Sequence, residues 1–246
     1  LGAFYGTNHL LEKVSEYFPE VNPRDLSEFE VTQIHQTSLP VSHFEISEDV
    51  PFFADKNQDN IEDISEEYRG MKMDLNYNEF SCRVNHRENA EKLPRVLVFQ
   101  GSYYNERHQF MQSAFQEYDA IHNYENFINF DYYFNIFQPD CVILETAEYA
   151  NNGAYFSYDG LAHKELNPVL DVNEHEEELI PLEEMDYTLE EDGSLLTIGF
   201  ADESDASRGW LVIGERQFDI SIEESGAECT IDKKYFAEDE ARVYFQ

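Results

Sequence analysis

The run RVLVFQ at residues 95 to 100 constrains this chain more than any other stretch. Four consecutive apolar residues of strand length, with no polar alternation, predict a parallel strand covered on both faces. GSYYN follows as a turn, and Phe110, Met111, Ala114, Phe115 and Tyr118 recur at helical spacing. YDAIHN reads as a second short strand, Phe127, Phe130, Phe134 and Phe137 as a second helix, and CVILE as a third strand after the QPD break. That order predicts a β-α-β-α-β unit: a parallel sheet with helices on its faces and ligands gathering at the carboxyl ends of the strands.

This geometry singles out Ser102. A serine just past a strand end, at the start of a helix, can present its hydroxyl in a crevice, where N–H groups of the helix start offer an oxyanion site. Gly101 permits a sharp turn there. Ser is equally an ordinary helix N-cap and Gly-Ser an ordinary turn, so both readings stand on spacing alone.

The rest of the chain is less uniform. Leu10, Val14 and Phe18, with Thr7 and Leu11 alongside, form one face of an amphipathic helix that Pro19 and Pro23 end. Residues 24 to 94 hold short strand-like pieces in VTQIHQTSLPVSHFEI. SEDVPFFADKNQDNIEDISEEY, broken by Pro51, reads as a long acidic surface excursion. Residues 151 to 185 read as a polar, acidic connector in which His175 is a solvated member of a charge run. From residue 186 the pattern is a hairpin around Asp192-Gly193, followed by the strands GWLVIG, QFDISIE, AECTIDKKYF and RVYFQ. They predict a small antiparallel sandwich or barrel with Trp210 in its core. The expected organisation is an α/β domain over 1 to 150, a connector over 151 to 185, and a β domain over 186 to 246.

Composition removes several functions. The 246 residues suffice for one large domain or a medium and a small one, and 41% apolar and 15% aromatic content argue against disorder despite a mean hydropathy of -0.59. Sixteen Lys and Arg against fifty-two Asp and Glu give a formal charge of -36, which repels a phosphate backbone and excludes nucleic acid as a partner. No stretch reaches the roughly 18 apolar residues of a membrane span, and LGAFYGTNHL has no basic leader region. Cys82, Cys141 and Cys229 are too scattered for a disulfide framework or zinc site and are expected to be unpaired. No Asp-x-Asp-x-Asp-Gly calcium loop occurs, so neither metal nor cofactor is expected.

RVLVFQGSYYNERHQFMQSAFQEYDAIHNYENFINFDYYFNIFQPDCVILETAEYA resembles the core of the SGNH-like polysaccharide O-acetyltransferases of the alginate O-acetylation type, including the related DHHW family. QGSY occupies the place of their nucleophile turn and PDCVILETAEY that of their later strand, over roughly residues 75 to 150. The resemblance implies an SGNH-hydrolase-like parallel sheet flanked by helices and followed by the small all-β domain. It also implies Ser102 as acyl carrier, with Gly101, Tyr103 and Glu145 as oxyanion or substrate-site residues. Glu145 and Glu148 align with the acidic end of the later strand and serve equally well as caps or salt-bridge partners of the next loop.

The sequence departs from that family in its turn, where Gln100 and Gly101 replace the expected residues and only Ser102 and Tyr103 match. The family's Asp-x-His motif is absent, and LGAFYGTNHLLEKVSEYF resembles the segment that follows it, which implies that the pair lies upstream of Leu1. The opening without methionine and the close on ARVYFQ accord with a fragment of a longer protein. In another register Thr7-Asn8-His9 takes the motif's place, against a surface role for His9. His108 reads as a surface residue, while His35, His43 and His86 have no assigned place.

The implied function is O-acetylation or deacetylation of an extracellular, periplasmic or cell-surface polysaccharide, with a membrane-bound acyl-donor protein as a possible partner. Lacking its base, this chain alone is expected to be weakly active or inactive. The alternative is a non-catalytic carbohydrate-binding or surface interaction protein.

Overall fold

The computed structural model describes residues 2–37, 46–73, 80–101, 107–122, 129–145, 165–200, 205–224 and 226–246. VLVFQ forms strand β5 (Val96–Gln100), and all five of its residues are buried. It lies between β6 (Glu117–His122) and β7 (Cys141–Leu144), parallel to both. Alternate residues serve two cores, as the pleat requires. Val96 and Val98 pack with Leu11 and Val14 of helix α1 (Gly2–Ser15). Leu97 and Phe99 pack with Tyr133, Ile136 and Phe137 of helix α2 (Phe130–Phe137).

The SGNH-type parallel sheet with flanking helices is not what the chain forms. Beyond the three parallel strands, β4 (Phe80–Asn85) pairs antiparallel with β6, and β3 (Ile61–Asp63) antiparallel with β4. The five-stranded order β3-β4-β6-β5-β7 is therefore mixed. The helix expected from Phe110 to Tyr118 is replaced by two 3-10 turns, His108–Phe110 and Gln112–Ala114, and Tyr118 already lies in β6. Two causes are visible. The apolar residues divide between cores, with Phe110 entering a cluster with Phe4, Phe29 and Phe53, while Met111, Ala114 and Phe115 join the α1 side. Side chains also take main-chain carbonyls that a helix would use: Asn85 Nδ2 donates to Ser113 O at 3.3 Å and to Phe115 O at 2.9 Å, and Arg87 donates to Ser113 O.

The stretch expected to be an acidic excursion also contains regular structure. There β2 (Glu48–Asp55) pairs with β1 (Phe29–Gln36), which falls on the strand-like VTQIHQ piece, as a two-stranded antiparallel ribbon in which Pro51 faces Gln33, as an unpaired outer edge tolerates. Its base is fixed by Arg24, which is buried and bonds Asp55 at 2.9 Å. Ser113 also donates to Asp55, at 2.6 Å.

The C-terminal half is a seven-stranded, wholly antiparallel sheet. It comprises β8 (Ile180–Pro181), β9 (Tyr187–Asp192), β10 (Leu195–Phe200), β11 (Gly209–Ile213), β12 (Arg216–Glu223), β13 (Gly226–Asp232) and β14 (Ala241–Phe245). Its order is β8-β14-β11-β12-β13-β10-β9. The β9-β10 hairpin closes through Gly193-Ser194, with Gly193 at φ 61°, one residue later than the Asp-Gly pattern indicates. Trp210 is buried against Val212 and Tyr244, and its Nε1–H donates to Pro168 O at 2.9 Å. His175 is partly buried, its ring 4.7 Å from that of Tyr244 and its Nδ1 3.1 Å from Glu178. The three cysteines are unpaired.

Helix α2 lies between the two sheets. Its Asn135 donates to Asp219 O at 2.8 Å and accepts from Asp219 N–H at 3.0 Å, fastening the helix to β12 as a strand neighbour would. Tyr68, in the 3-10 turn between β3 and β4, and Asp232 of β13 add a buried bond of 2.5 Å. Asn135→Ala removes both of its bonds to the Asp219 main chain beside a buried helix. It is expected to cost about 2–3 kcal/mol in urea unfolding, against well under 1 kcal/mol for an exposed control such as Glu184→Ala.

Candidate functional site

Because β5, β6 and β7 run in one direction, their carboxyl ends lie along one edge of the sheet. That edge is where open sheets place their ligands. Gln100 and His122 end β5 and β6 in register with each other, and both are buried. Glu145 follows β7, half-buried, and its N–H donates to Phe99 O at 2.8 Å, continuing the ladder. Its carboxylate then accepts the N–H of Gly101 at 2.8 Å. Two of the four residues expected at the site, Gly101 and Glu145, are thus brought into direct contact. Ser102 and Tyr103 lie outside the described residues, as do Glu148 and His43.

The other histidines are placed as follows. His9 stands on the exposed side of α1, 3.2 Å from Glu12, whereas Thr7 is buried. The side chain between them, Asn8, donates to Arg24 O at 2.7 Å and accepts from Arg24 N–H at 2.9 Å. The Thr7-Asn8-His9 register therefore makes no acid–base pair. His86 is exposed and bonds Glu62 at 2.7 Å. His35 on the ribbon has Asp49 at 2.8 Å from Nδ1 and Ser47 Oγ at 3.4 Å from Nε2. That connectivity is the one a serine triad uses, but all three side chains are exposed, and water around them weakens the electrostatics that such chemistry needs. His122 was not marked by the sequence as a site residue. The available signal was the end of the YDAIH strand.

Electrostatics elsewhere are dominated by burial. Asp119, 1% exposed on β6, is pushed well above the ordinary carboxylate range by burial and then by the neighbouring Glu117, with Lys234 acting the other way. Burial likewise raises Cys82, the partner of Asp119 across the β4–β6 pair, and the charge of Asp119 adds to the effect. This acidic group belongs to the junction with the C-terminal sheet, where Lys234 bonds Glu117 at 3.1 Å and Asp232 at 3.2 Å. Among the described residues no group of three or more His, Cys, Asp and Glu side chains is arranged to hold a metal ion. No described helix is long and apolar enough to cross a membrane.

No family model matches the chain, and neither does any curated protein. It is similar to two solved structures of Bacillus cereus PatB1, one of them with a sulfonyl adduct. Identity is 13% in both, over 64% of this chain, with TM-scores of 0.46 and 0.45. The chain spans 62% and 60% of those two structures. A likeness of that degree assigns no residue and no activity.

His108 is half-buried rather than a surface residue. Burial and then the charge of Arg83 lower its pKa to about 4, with Asp63 opposing. The unfolded chain, with the imidazole near its ordinary 6.5, takes up the proton first, so this contribution to stability is complete above 6.5 and declines as pH falls towards 4. Urea midpoints measured from pH 7.5 to 4.0 are expected to fall less steeply in His108→Gln than in wild type. Parallel curves would remove His108 as a source of the pH dependence.

Proposed function

We propose that this protein performs serine-dependent acyl transfer on a polysaccharide, adding or removing an O-acetyl group, with Ser102 as the acyl carrier. The observation that carries the reading is the anchoring of Gly101, the residue covalently preceding Ser102, at the carboxyl edge of three parallel strands. The QGSY and PDCVILETAEY spacing supports it independently. In this reading a histidine removes the Ser102 proton, an aspartate orients that histidine, and main-chain N–H groups hold the tetrahedral oxyanion. In this reading the acid and base are supplied by residues before Leu1. The protein then acts outside the cytoplasm, and its acetyl groups come from a membrane-bound donor protein.

A groove on the seven-stranded sheet supports a second reading, glycan binding without catalysis. It encloses about 370 Å³ and is lined by Asp186, Tyr187, Thr188, Glu223 and Glu228 among others. A tyrosine ring beside several carboxylates and a hydroxyl suits a sugar's apolar face and its hydroxyl groups.

Acetyl-ester hydrolysis separates the readings. This chain alone is expected to turn over little. The protein extended through its natural residues before Leu1 is expected to be active and to lose about a thousandfold or more with Ser102→Ala. Silence in both forms, with glycan binding that Tyr187→Ala abolishes, would select the binding protein.

A further inference from the structure

We propose that Glu145 is a positioning residue: its carboxylate holds the Gly101 N–H and so fixes the point at which the chain leaves β5. The functional part of this inference rests on the reading of Ser102 as acyl carrier.

The ladder geometry supports it. In a parallel pair, one residue accepts from the residue after its partner, and the next rung is donated two residues further along. Phe99 O accepts from Glu145 N–H at 2.8 Å, so the next rung would run from Gly101 N–H to the main-chain carbonyl of Glu145. Gly101 N–H instead bonds the Glu145 side chain at 2.8 Å. The carboxylate replaces the carbonyl, which lets β7 end while the β5 donor stays occupied. Gly101 is buried, and a main-chain N–H left without an acceptor there is costly. An ionised acceptor makes the bond stronger than the rung it replaces. One residue thus bonds β5 twice, by main chain to Phe99 and by side chain to Gly101, on either side of Gln100.

Two consequences follow. The N–H of Gly101 is taken and cannot serve a developing oxyanion, so in that reading the donors are other groups. The Glu145 carboxylate, an acceptor only, would repel an oxyanion, which separates its role from oxyanion contact.

The test compares Glu145→Gln, which keeps a carbonyl acceptor, with Glu145→Ala in the N-terminally extended protein. Amide exchange at Gly101, followed by NMR, is expected to rise about tenfold or more in the Ala variant. The Gln variant is expected to rise by less, about threefold to fivefold, since a neutral amide oxygen accepts the same bond more weakly. On an acetyl ester, the Ala variant is expected to lower kcat about tenfold to a hundredfold at constant KM, with activity restored in Gln. If Glu145→Ala does not fold, Glu145→Asp keeps the charge, shortens the reach and is expected to behave as the Ala variant. Unchanged Gly101 exchange in Ala or Asp would overturn the clamp. A raised KM shared by Gln and Ala would show that Glu145 touches substrate through its charge. Wild-type protein without Ser102-dependent turnover defeats the acyl-transfer reading, and exchange at Gly101 then decides the clamp alone.

Discussion

The structure depends on burying one strand from both sides. β5 carries no polar residue before Gln100, so neither face can meet water, and the chain supplies α1 for one face and α2 for the other. Burying each of its large side chains contributes about 1.5–3 kcal/mol. That demand fixes what lies on either side. The α1 core closes the N-terminal face. The α2 core is shared with Leu195 of the antiparallel sheet, which brings the C-terminal half into contact with the first. A strand covered in this way also has a defined end, because Gln100 is the first side chain able to meet polar partners.

At several junctions a side-chain group replaces a main-chain one. Asn8 pairs reciprocally with Arg24, Asn135 with Asp219, and Gln217 with Leu170, each amide accepting one backbone N–H and donating to one backbone carbonyl. Asn85 does half of this for Ser113 and Phe115, and Glu145 for Gly101. Each ends or joins a regular element without leaving a main-chain group unsatisfied. A chain rich in short strands and 3-10 turns has many such ends. The Gly101 clamp belongs to this set and differs in using an ionised acceptor.

The same device explains what was legible in the sequence. VLVFQ, CVILE and the phenylalanine stripe of α2 were readable because burial on a fixed period leaves a mark. The C-terminal strands were readable from short runs and turns. The segment from Phe110 to Tyr118 misled because residues spaced as on one helix serve two different cores and then a strand. β2 was obscured by Pro51 and by acidic flanks, which an exposed ribbon permits. At the candidate site, Glu145 and Gly101 were marked by position, but their mutual bond was not, since an acceptor 44 residues away leaves no local pattern. His122 went unmarked because a histidine ending a strand looks like any strand terminus until its neighbour is known.

In the acyl-transfer reading, the chain leaving β5 after Gly101 carries the reactive serine. The most direct measurement is reaction of the N-terminally extended protein with a fluorophosphonate, followed by peptide mapping of the adduct. A single adduct on Ser102 is expected. An adduct on Ser47, beside His35 and Asp49 on the exposed ribbon, or no adduct on folded protein, would contradict it.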